Sequence, residues 1–158
     1  MYQALLSVII EKARSIRWPV QPPATAAEIE RLVSRSEQEL GVRPPNEYPA
    51  LLQTVNGLEW NGLVVYATRR TRLVNDPRKV IEGFVEGNLN YRDFEPLRQY
   101  LIFADDGSAL YVENLNTEKY EVILRVGMTV LRSLDSFSSL MLDALRAAWP
   151  FALPESIK

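Results

Sequence analysis

The sequence predicts an α+β fold, a single domain over residues 1–158 in which a mostly antiparallel sheet is covered by about five helices. Three observations predict it. Apolar residues repeat at helical spacing near both ends of the chain, strand-like segments joined by short turns occupy the middle, and no strand–helix–strand repetition occurs. The 158 residues are 47% hydrophobic and 24% charged, which suits one folded domain with one core.

The chain begins with two predicted helices. Apolar residues at helical spacing predict the first over residues 3–17, which Trp18-Pro19 ends because proline disfavours helix in the residue before it. The second is predicted over residues 26–40. Thr25 and Glu28 form its capping box, in which each side chain satisfies a free backbone N–H at the helix start.

Gly41 supplies the left-handed stop of the second helix. Pro44-Pro45-Asn46 then opens a short third helix. Pro49 is tolerated in that helix only within its first turn, because proline lacks the N–H that an interior position would need.

A hairpin follows, since residues 58–60 and 63–66 read as strands on either side of Asn61-Gly62, a pair typical of a type I′ turn. The basic stretch at residues 69–76 is predicted as a loop. Pro77 is predicted to begin a fourth helix that continues to about Asn90, with Val80, Ile81 and Phe84 facing inward.

A three-strand antiparallel meander and a last helix complete the prediction. Turn-forming residues separate the three strands, which are residues 100–104, 109–114 and 119–126. Asp135 or Ser136 is expected to cap the last helix over residues 137–148, and Trp149-Pro150 to end it.

Histidine and cysteine are both absent, and this excludes several kinds of chemistry. No Ser-His-Asp triad, no cysteine nucleophile, no zinc site of thiolates or imidazoles and no disulfide can form. The phosphate-binding and nucleophile-elbow motifs are also missing. We therefore expect no catalytic residues, no cofactor and no metal, and a protein that is not an enzyme.

Residues 1–10 lack the basic start of a signal peptide, and no apolar run approaches the length of a membrane span. A cytoplasmic protein without a membrane partner is therefore expected. The formal charge is −2, which does not favour direct nucleic-acid binding. The charge is uneven, however, with a net of +4 over residues 69–80 and a net of −4 over residues 101–124.

The basic stretch, with Arg69, Arg70 and Arg72 nearly consecutive, reads chiefly as a solvated loop or one tethered to the acidic face, and less readily as a phosphate-binding loop. Three interpretations are open for the acidic residues Asp105, Asp106 and Glu113. They form an ordinary solvated turn, a partner-facing acidic patch, or a cation or acid–base site.

The aromatic residues near the turns are candidates for protein contact. Trp60 lies at the tip of the predicted hairpin, where its own hairpin cannot bury so large a ring, and tryptophan and tyrosine are enriched at interface hot spots. Tyr66, Tyr91 and Tyr111 add further rings. The alternative is that the first or last helix covers Trp60 as part of the core.

Several short motifs follow one another in an informative order. They are Glu28-Ile29-Glu30, then Glu39 to Pro45, Tyr48, Leu51-Leu52, Asn56-Gly57, Trp60 to Tyr66, Tyr100 to Gly107 and Tyr111-Val112. In this order they resemble the SUKH superfamily, whose founding members include yeast Smi/Knr cell-wall regulators. The resemblance covers a core at residues 25–145 and leaves residues 1–18 as an extra N-terminal helix.

The resemblance implies an α+β binding protein. Most bacterial SUKH members are immunity proteins that neutralise a cognate polymorphic or contact-dependent toxin domain, often a nuclease or deaminase. Under this hypothesis the acids would steer a basic toxin and the aromatic rings would anchor it. The predicted partner-binding residues are Trp60, Tyr66, Asp105, Asp106, Tyr111 and Glu113.

Two alternatives remain open. A regulatory or scaffold SUKH domain would bind a housekeeping protein instead, and an enzyme would have to work with carboxylates and a hydroxyl alone. The chain could be a monomer or a homodimer, because the apolar stripe of the first helix could pack on its own sheet or on a second copy.

Overall fold

The computed structural model describes all 158 residues, with five α-helices and eight strands. The helices are α1 (Tyr2–Ser15), α2 (Ala26–Arg35), α3 (Glu47–Leu52), α4 (Phe84–Arg92) and α5 (Phe137–Ala148). The strands are β1 (Leu58–Trp60), β2 (Leu63–Val65), β3 (Thr71–Leu73), β4 (Asp76–Ile81), β5 (Tyr100–Asp105), β6 (Ala109–Asn114), β7 (Lys119–Leu124) and β8 (Val130–Leu134). The α+β prediction is therefore confirmed.

The ends of α2 follow the sequence closely. The Thr25 hydroxyl accepts a hydrogen bond from the Glu28 backbone N–H at 3.2 Å, as its capping role requires. The other half of the predicted capping box does not form: the Glu28 carboxylate accepts from the Asn56 side-chain amide at 2.7 Å instead of from the Thr25 N–H. After Arg35 the helix widens into a π-helical turn over Ser36–Leu40. It stops at Gly41, whose φ of +71° is in the left-handed region.

The structure also confirms the signals that the sequence gives for helices α3 and α5. Pro49 lies in the first turn of α3, where its missing N–H breaks no helical hydrogen bond. Ser136, rather than Asp135, caps α5, because its hydroxyl accepts from the Ser139 backbone N–H at 3.1 Å.

The predicted hairpin and meander belong to one antiparallel sheet, in the order β1-β2-β5-β6-β7-β8. Asn61 and Gly62 turn between β1 and β2 with φ angles of +46° and +87°, and β2 then pairs with β5. The meander has four strands, not three. The predicted strand at 119–126 ends at Leu124, and β8 follows a turn at Gly127 and Met128.

The prediction for residues 69–90 is wrong in part. The residues predicted as a loop and as the start of a helix form strands β3 and β4 instead, and these strands pair as a separate two-stranded sheet. Helix α4 begins only at Phe84. Leu73 and Ile81 of these strands pack with Ala67 in a small buried cluster of their own. Val80, predicted to face inward, is 46% exposed, because it pairs with Arg72 on the outer side.

The main core lies between the sheet and its helices. Helix α5 packs on β2, β6, β7 and β8, α1 packs on α5, and α4 packs on β5. The apolar stripe of α1, which includes Leu5 and Ile9, is fully buried in this core. The stripe is therefore covered by the chain itself and is not a free surface for a second copy.

Candidate interaction surfaces

The six predicted partner-binding residues do not form one surface. Trp60, Tyr66 and Tyr111 are only 5%, 1% and 1% exposed, so the expectation that their rings are available for contact is wrong for the isolated chain. The three carboxylates are partly buried. The six residues are divided among four places in the fold.

Tyr66 and Asp105 meet in a polar cluster beside α4. The Tyr66 hydroxyl donates to Oδ2 of Asp105 at 2.7 Å and lies 3.1 Å from the Tyr91 hydroxyl. Arg125 donates to the Tyr91 hydroxyl at 2.9 Å and approaches Oδ1 of Asp105 at 3.4 Å. Burial, followed by the charge of Asp105, raises the pKa of Tyr66 far above its ordinary value. This cluster joins α4 to the sheet and keeps Tyr66 protonated.

Asp106 and Tyr111 form a second polar site on the opposite side of the sheet, because Tyr111 pairs with Ala104, whose side chain points away from that of Asp105. The Asp106 carboxylate accepts backbone N–H groups of Ser108 and Ala109 at 3.0 and 2.8 Å and the Tyr111 hydroxyl at 3.2 Å. Burial alone would raise the pKa of Asp106, but these hydrogen bonds lower it overall. The carboxylate shapes the Asp-Gly turn.

The acidic residues do not converge on a cation site. No group of three or more acidic side chains is close enough to hold a metal ion. Glu113 lies on β6 opposite Tyr120, and burial together with the charge of Glu118 raises the pKa of its carboxyl. Burial and the charges of Glu113 and Glu47 raise the pKa of Tyr120 to about 12. The surface around Tyr120 is therefore acidic.

Trp60 lies in an aromatic cluster built from both ends of the chain. Its ring stacks on Trp149 at 6.5 Å between centroids and meets Trp18 edge-on at 6.3 Å. Trp18 follows α1 and Trp149 follows α5, so the alternative in which the terminal helices cover Trp60 is confirmed. The Trp60 Nε1 group is buried without a hydrogen-bond partner.

An open groove of about 240 Å³ lies beside this cluster and will be called the tryptophan groove. It is lined by Ile16, Trp18, Trp60, Asn61, Pro150 and Phe151. Lys12 lies over the Phe151 ring at 5.1 Å, and Lys79 lies over the Trp18 ring at 4.6 Å. The groove therefore has apolar walls and a cation at each of two walls.

The β3–β4 hairpin, residues 69–81, carries a cluster of free positive charge and will be called the basic hairpin. Arg69, Arg70 and Arg72 are exposed and form no ion pair. Arg78 pairs with Asp76 at 3.1 Å, and Lys79 with Glu59 at 3.6 Å. The hairpin also exposes two valines, Val74 and Val80, so it offers charge and apolar area together.

Helix α2 extends the basic surface. A cleft of about 180 Å³ between α2 and the basic hairpin is lined by Glu28, Arg31, Arg35, Thr68 and Arg69. Arg35 is held by Glu39 and Glu86 at 2.7 and 2.8 Å, whereas Arg31 forms no ion pair and is exposed.

The sequence predicts the positive charge of residues 69–80 but not the two strands that carry it. The alternation of Thr71, Arg72 and Leu73 favours a strand, but the turn-forming and proline residues around it favour a loop. The tryptophan groove had no local signal, since its walls come from three distant parts of the chain.

Residues 30–127, from α2 to just beyond β7, match the family SUKH_6, described as SMI1-KNR4 cell-wall. The fold thus belongs to the SUKH superfamily. Because the match covers more than half of the sequence, the chain is a member of the SUKH_6 family. Among curated proteins, none matches this sequence. No helix is both long enough and apolar enough to cross a membrane.

Proposed function

We propose that the chain is a non-enzymatic, cytoplasmic immunity protein that binds a cognate polymorphic or contact-dependent toxin domain and blocks it. Membership of the SUKH superfamily supports a binding role, since the resemblance implies this function for most bacterial members. The observation that carries the proposal is the basic hairpin, which presents unpaired arginines beside exposed valines within the matched part of the chain.

Arginine is enriched in protein interfaces because its planar guanidinium pairs with carboxylates in two hydrogen bonds and also packs against apolar groups. Arg69, Arg70 and Arg72 have no internal acid to release before they bind a partner. Exposed charge of one sign also accelerates association with a partner of opposite charge. The toxin surface that fits the hairpin is therefore acidic.

The proposed contact moves away from the acids that the sequence analysis favoured. Asp105 and Asp106 already accept hydrogen bonds from Tyr66, Tyr111 and the turn backbone. A partner that used these carboxylates would compete with those bonds, and any buried donor left unsatisfied would cost about 1–3 kcal/mol. The hairpin arginines carry no such cost.

The test is a pull-down from the source cells with tagged protein in moderate salt, followed by mass spectrometry. We expect the wild-type chain to retain one toxin domain and a variant with Arg69→Glu, Arg70→Glu and Arg72→Glu to lose it. Co-expression should give the same result, with the wild type restoring growth of cells that produce the toxin domain.

The matched control changes three exposed arginines elsewhere that form no ion pair, Arg14, Arg98 and Arg146, to glutamate and so alters the net charge equally. Capture of housekeeping proteins alone would contradict the immunity function and favour the regulatory or scaffold alternative. Toxin capture that survives the hairpin variant would leave the function standing and refute the hairpin as its contact surface.

A further inference from the structure

We propose that the tryptophan groove holds an apolar side chain of an acidic polypeptide segment, and that this segment anchors the partner beside the basic hairpin. The inference rests on the proposed function only for the identity of the partner as a toxin domain. The chemistry of the segment follows from the groove itself.

The volume and the apolar walls of the groove suit a single side chain better than a whole small molecule. At about 240 Å³ it is smaller than most small-molecule sites, which span about 300–1,000 Å³. Ile16 and Phe151 are both about half exposed on its rim. An aliphatic or aromatic side chain that enters the groove would remove these surfaces from water.

One face of each of Trp60, Trp18 and Phe151 is already covered, which argues against nucleic-acid bases. Trp60 stacks on Trp149, while Lys79 covers a face of Trp18 and Lys12 covers a face of Phe151. A base needs an open aromatic face on which to stack. The small space that remains beside these rings suits a side chain better than a nucleobase.

The charges select the flanking residues of the bound segment. Lys12 forms no ion pair and lies over the Phe151 ring, so a carboxylate beside the apolar residue would meet a free cation there. Lys79 lies over the Trp18 ring and is already paired with Glu59 at 3.6 Å, so it adds less to the binding of a second carboxylate. A second copy of this chain fits poorly, because groove-to-groove pairing would bring four lysines together. Lys79 also belongs to β4 and touches the Trp18 wall, so the basic hairpin lies next to the groove.

The buried Trp60 indole supplies a further observation. Trp18 Nε1 donates to the Glu59 carbonyl at 2.8 Å and Trp149 Nε1 to the Ala152 carbonyl at 3.2 Å. Trp60 Nε1 alone has no acceptor, and such groups are uncommon in folded proteins. A backbone carbonyl of a bound segment would provide the missing acceptor after a small movement of the rim.

The protein's own fluorescence tests this proposal, because all three tryptophans lie at or next to the groove. The probes are an acidic peptide with a central Leu-Phe pair and the same peptide with Ser-Gly in the centre. We expect the first to shift the tryptophan emission in a saturable way and the second to bind about tenfold more weakly. No shift with the Leu-Phe peptide up to millimolar concentration would overturn the proposal.

Phe151→Ser should weaken the Leu-Phe peptide about tenfold, and Lys12→Glu should weaken it in low salt. Phe94→Ser is the matched control, since Phe94 and Phe151 are 55% and 51% exposed and Phe94 lies outside the groove. Binding that survives Phe151→Ser, or binding of a short single-stranded DNA in place of the peptide, would refute the groove assignment.

Failure of this inference differs from failure of the proposed function. If Phe151→Ser neutralises the toxin as well as the wild type does, the immunity function stands and the groove assignment is wrong. If the groove binds the peptide but the cells contain no toxin partner, the groove assignment stands and the immunity function is wrong.

Discussion

Asn88 is a fully buried polar side chain that joins α4 to the sheet. Its amide nitrogen donates to the carbonyls of Phe84 and Ile102, both at 2.8 Å, and its oxygen accepts from the Ile102 N–H, also at 2.8 Å. Ile102 lies at the irregular register of β5 opposite β6, where the ladder leaves backbone groups to be satisfied. One amide side chain satisfies them.

We expect Asn88→Ala to lower the free energy of unfolding by about 3 kcal/mol, because it leaves buried backbone groups of Ile102 without partners. Urea denaturation monitored by circular dichroism measures the change. Asn90→Ala is the control on the same helix, since Asn90 is exposed and its side chain makes no hydrogen bond. Equal effects of the two substitutions would contradict this role for Asn88.

At the scale of elements, the basic hairpin is attached to the rest of the protein at few points. Ala67 accepts from the Phe84 N–H and donates to the Glu82 carbonyl, at 3.0 and 2.9 Å. Gln21 accepts from the Val74 N–H at 2.6 Å. Gly83 closes the base of the hairpin, where an added Cβ would lie 2.3 Å from the Arg70 backbone nitrogen.

Gly83→Ala should therefore loosen the hairpin before the core. We expect a cost of about 1–3 kcal/mol, as for other overpacked sites, and faster hydrogen exchange at the amides of residues 71–81. Mass spectrometry of exchanged peptides measures this local effect.

The control for this substitution is Gly107→Ala. Gly107 has φ +91° and open space around it, so alanine there strains one turn without touching the hairpin. Unchanged exchange at residues 71–81 in Gly83→Ala would contradict the proposed attachment.

For the whole molecule, the tyrosines determine how stability depends on pH. All seven have raised pKa values, chiefly through burial. Tyr48, Tyr66 and Tyr111 are fully buried. The chain has no histidine or cysteine, so few groups titrate between about pH 6 and 9.

The free energy of unfolding should be nearly constant between about pH 6 and 9 and should fall above about pH 10. There the unfolded chain releases its tyrosine protons while the folded chain retains them, so unfolding becomes more favourable as the pH rises. Each fully buried tyrosine adds a slope of about 1.4 kcal/mol per pH unit.

Alkaline titration with tyrosinate absorbance and near-ultraviolet circular dichroism tests this expectation. Tyrosinate should appear together with the loss of tertiary structure. Gradual ionisation near pH 10 in a protein that stays folded would be inconsistent with the burial described above.

The features that the sequence predicts well are those determined by neighbouring residues. The Thr25 cap, the Gly41 stop, the Asn61-Gly62 turn and the Ser136 cap each depend on local hydrogen bonds or φ preferences. These local preferences act in any fold, so they could be read from the sequence and the structure retains them.

The features that sequence reasoning missed depend on distant contacts. Strand β8 is almost wholly exposed, so it shows little alternation, and it is stabilised by pairing with β7. Trp60 and Trp149 are far apart in the sequence, and only the fold brings their rings together. The same holds for Arg125, which reaches Tyr91 and Asp105 from the end of β7.

The small separate core of the basic hairpin has an evolutionary consequence. Only Ala67, Leu73 and Ile81 form it, and Val64 is the one partly buried residue that packs against both it and the main core. Substitutions at the hairpin's outward positions can therefore change its charge and shape without disturbing the residues that keep the sheet and helices folded. A lineage that meets a new partner can thus alter its recognition surface rapidly while its scaffold stays under ordinary selection for stability.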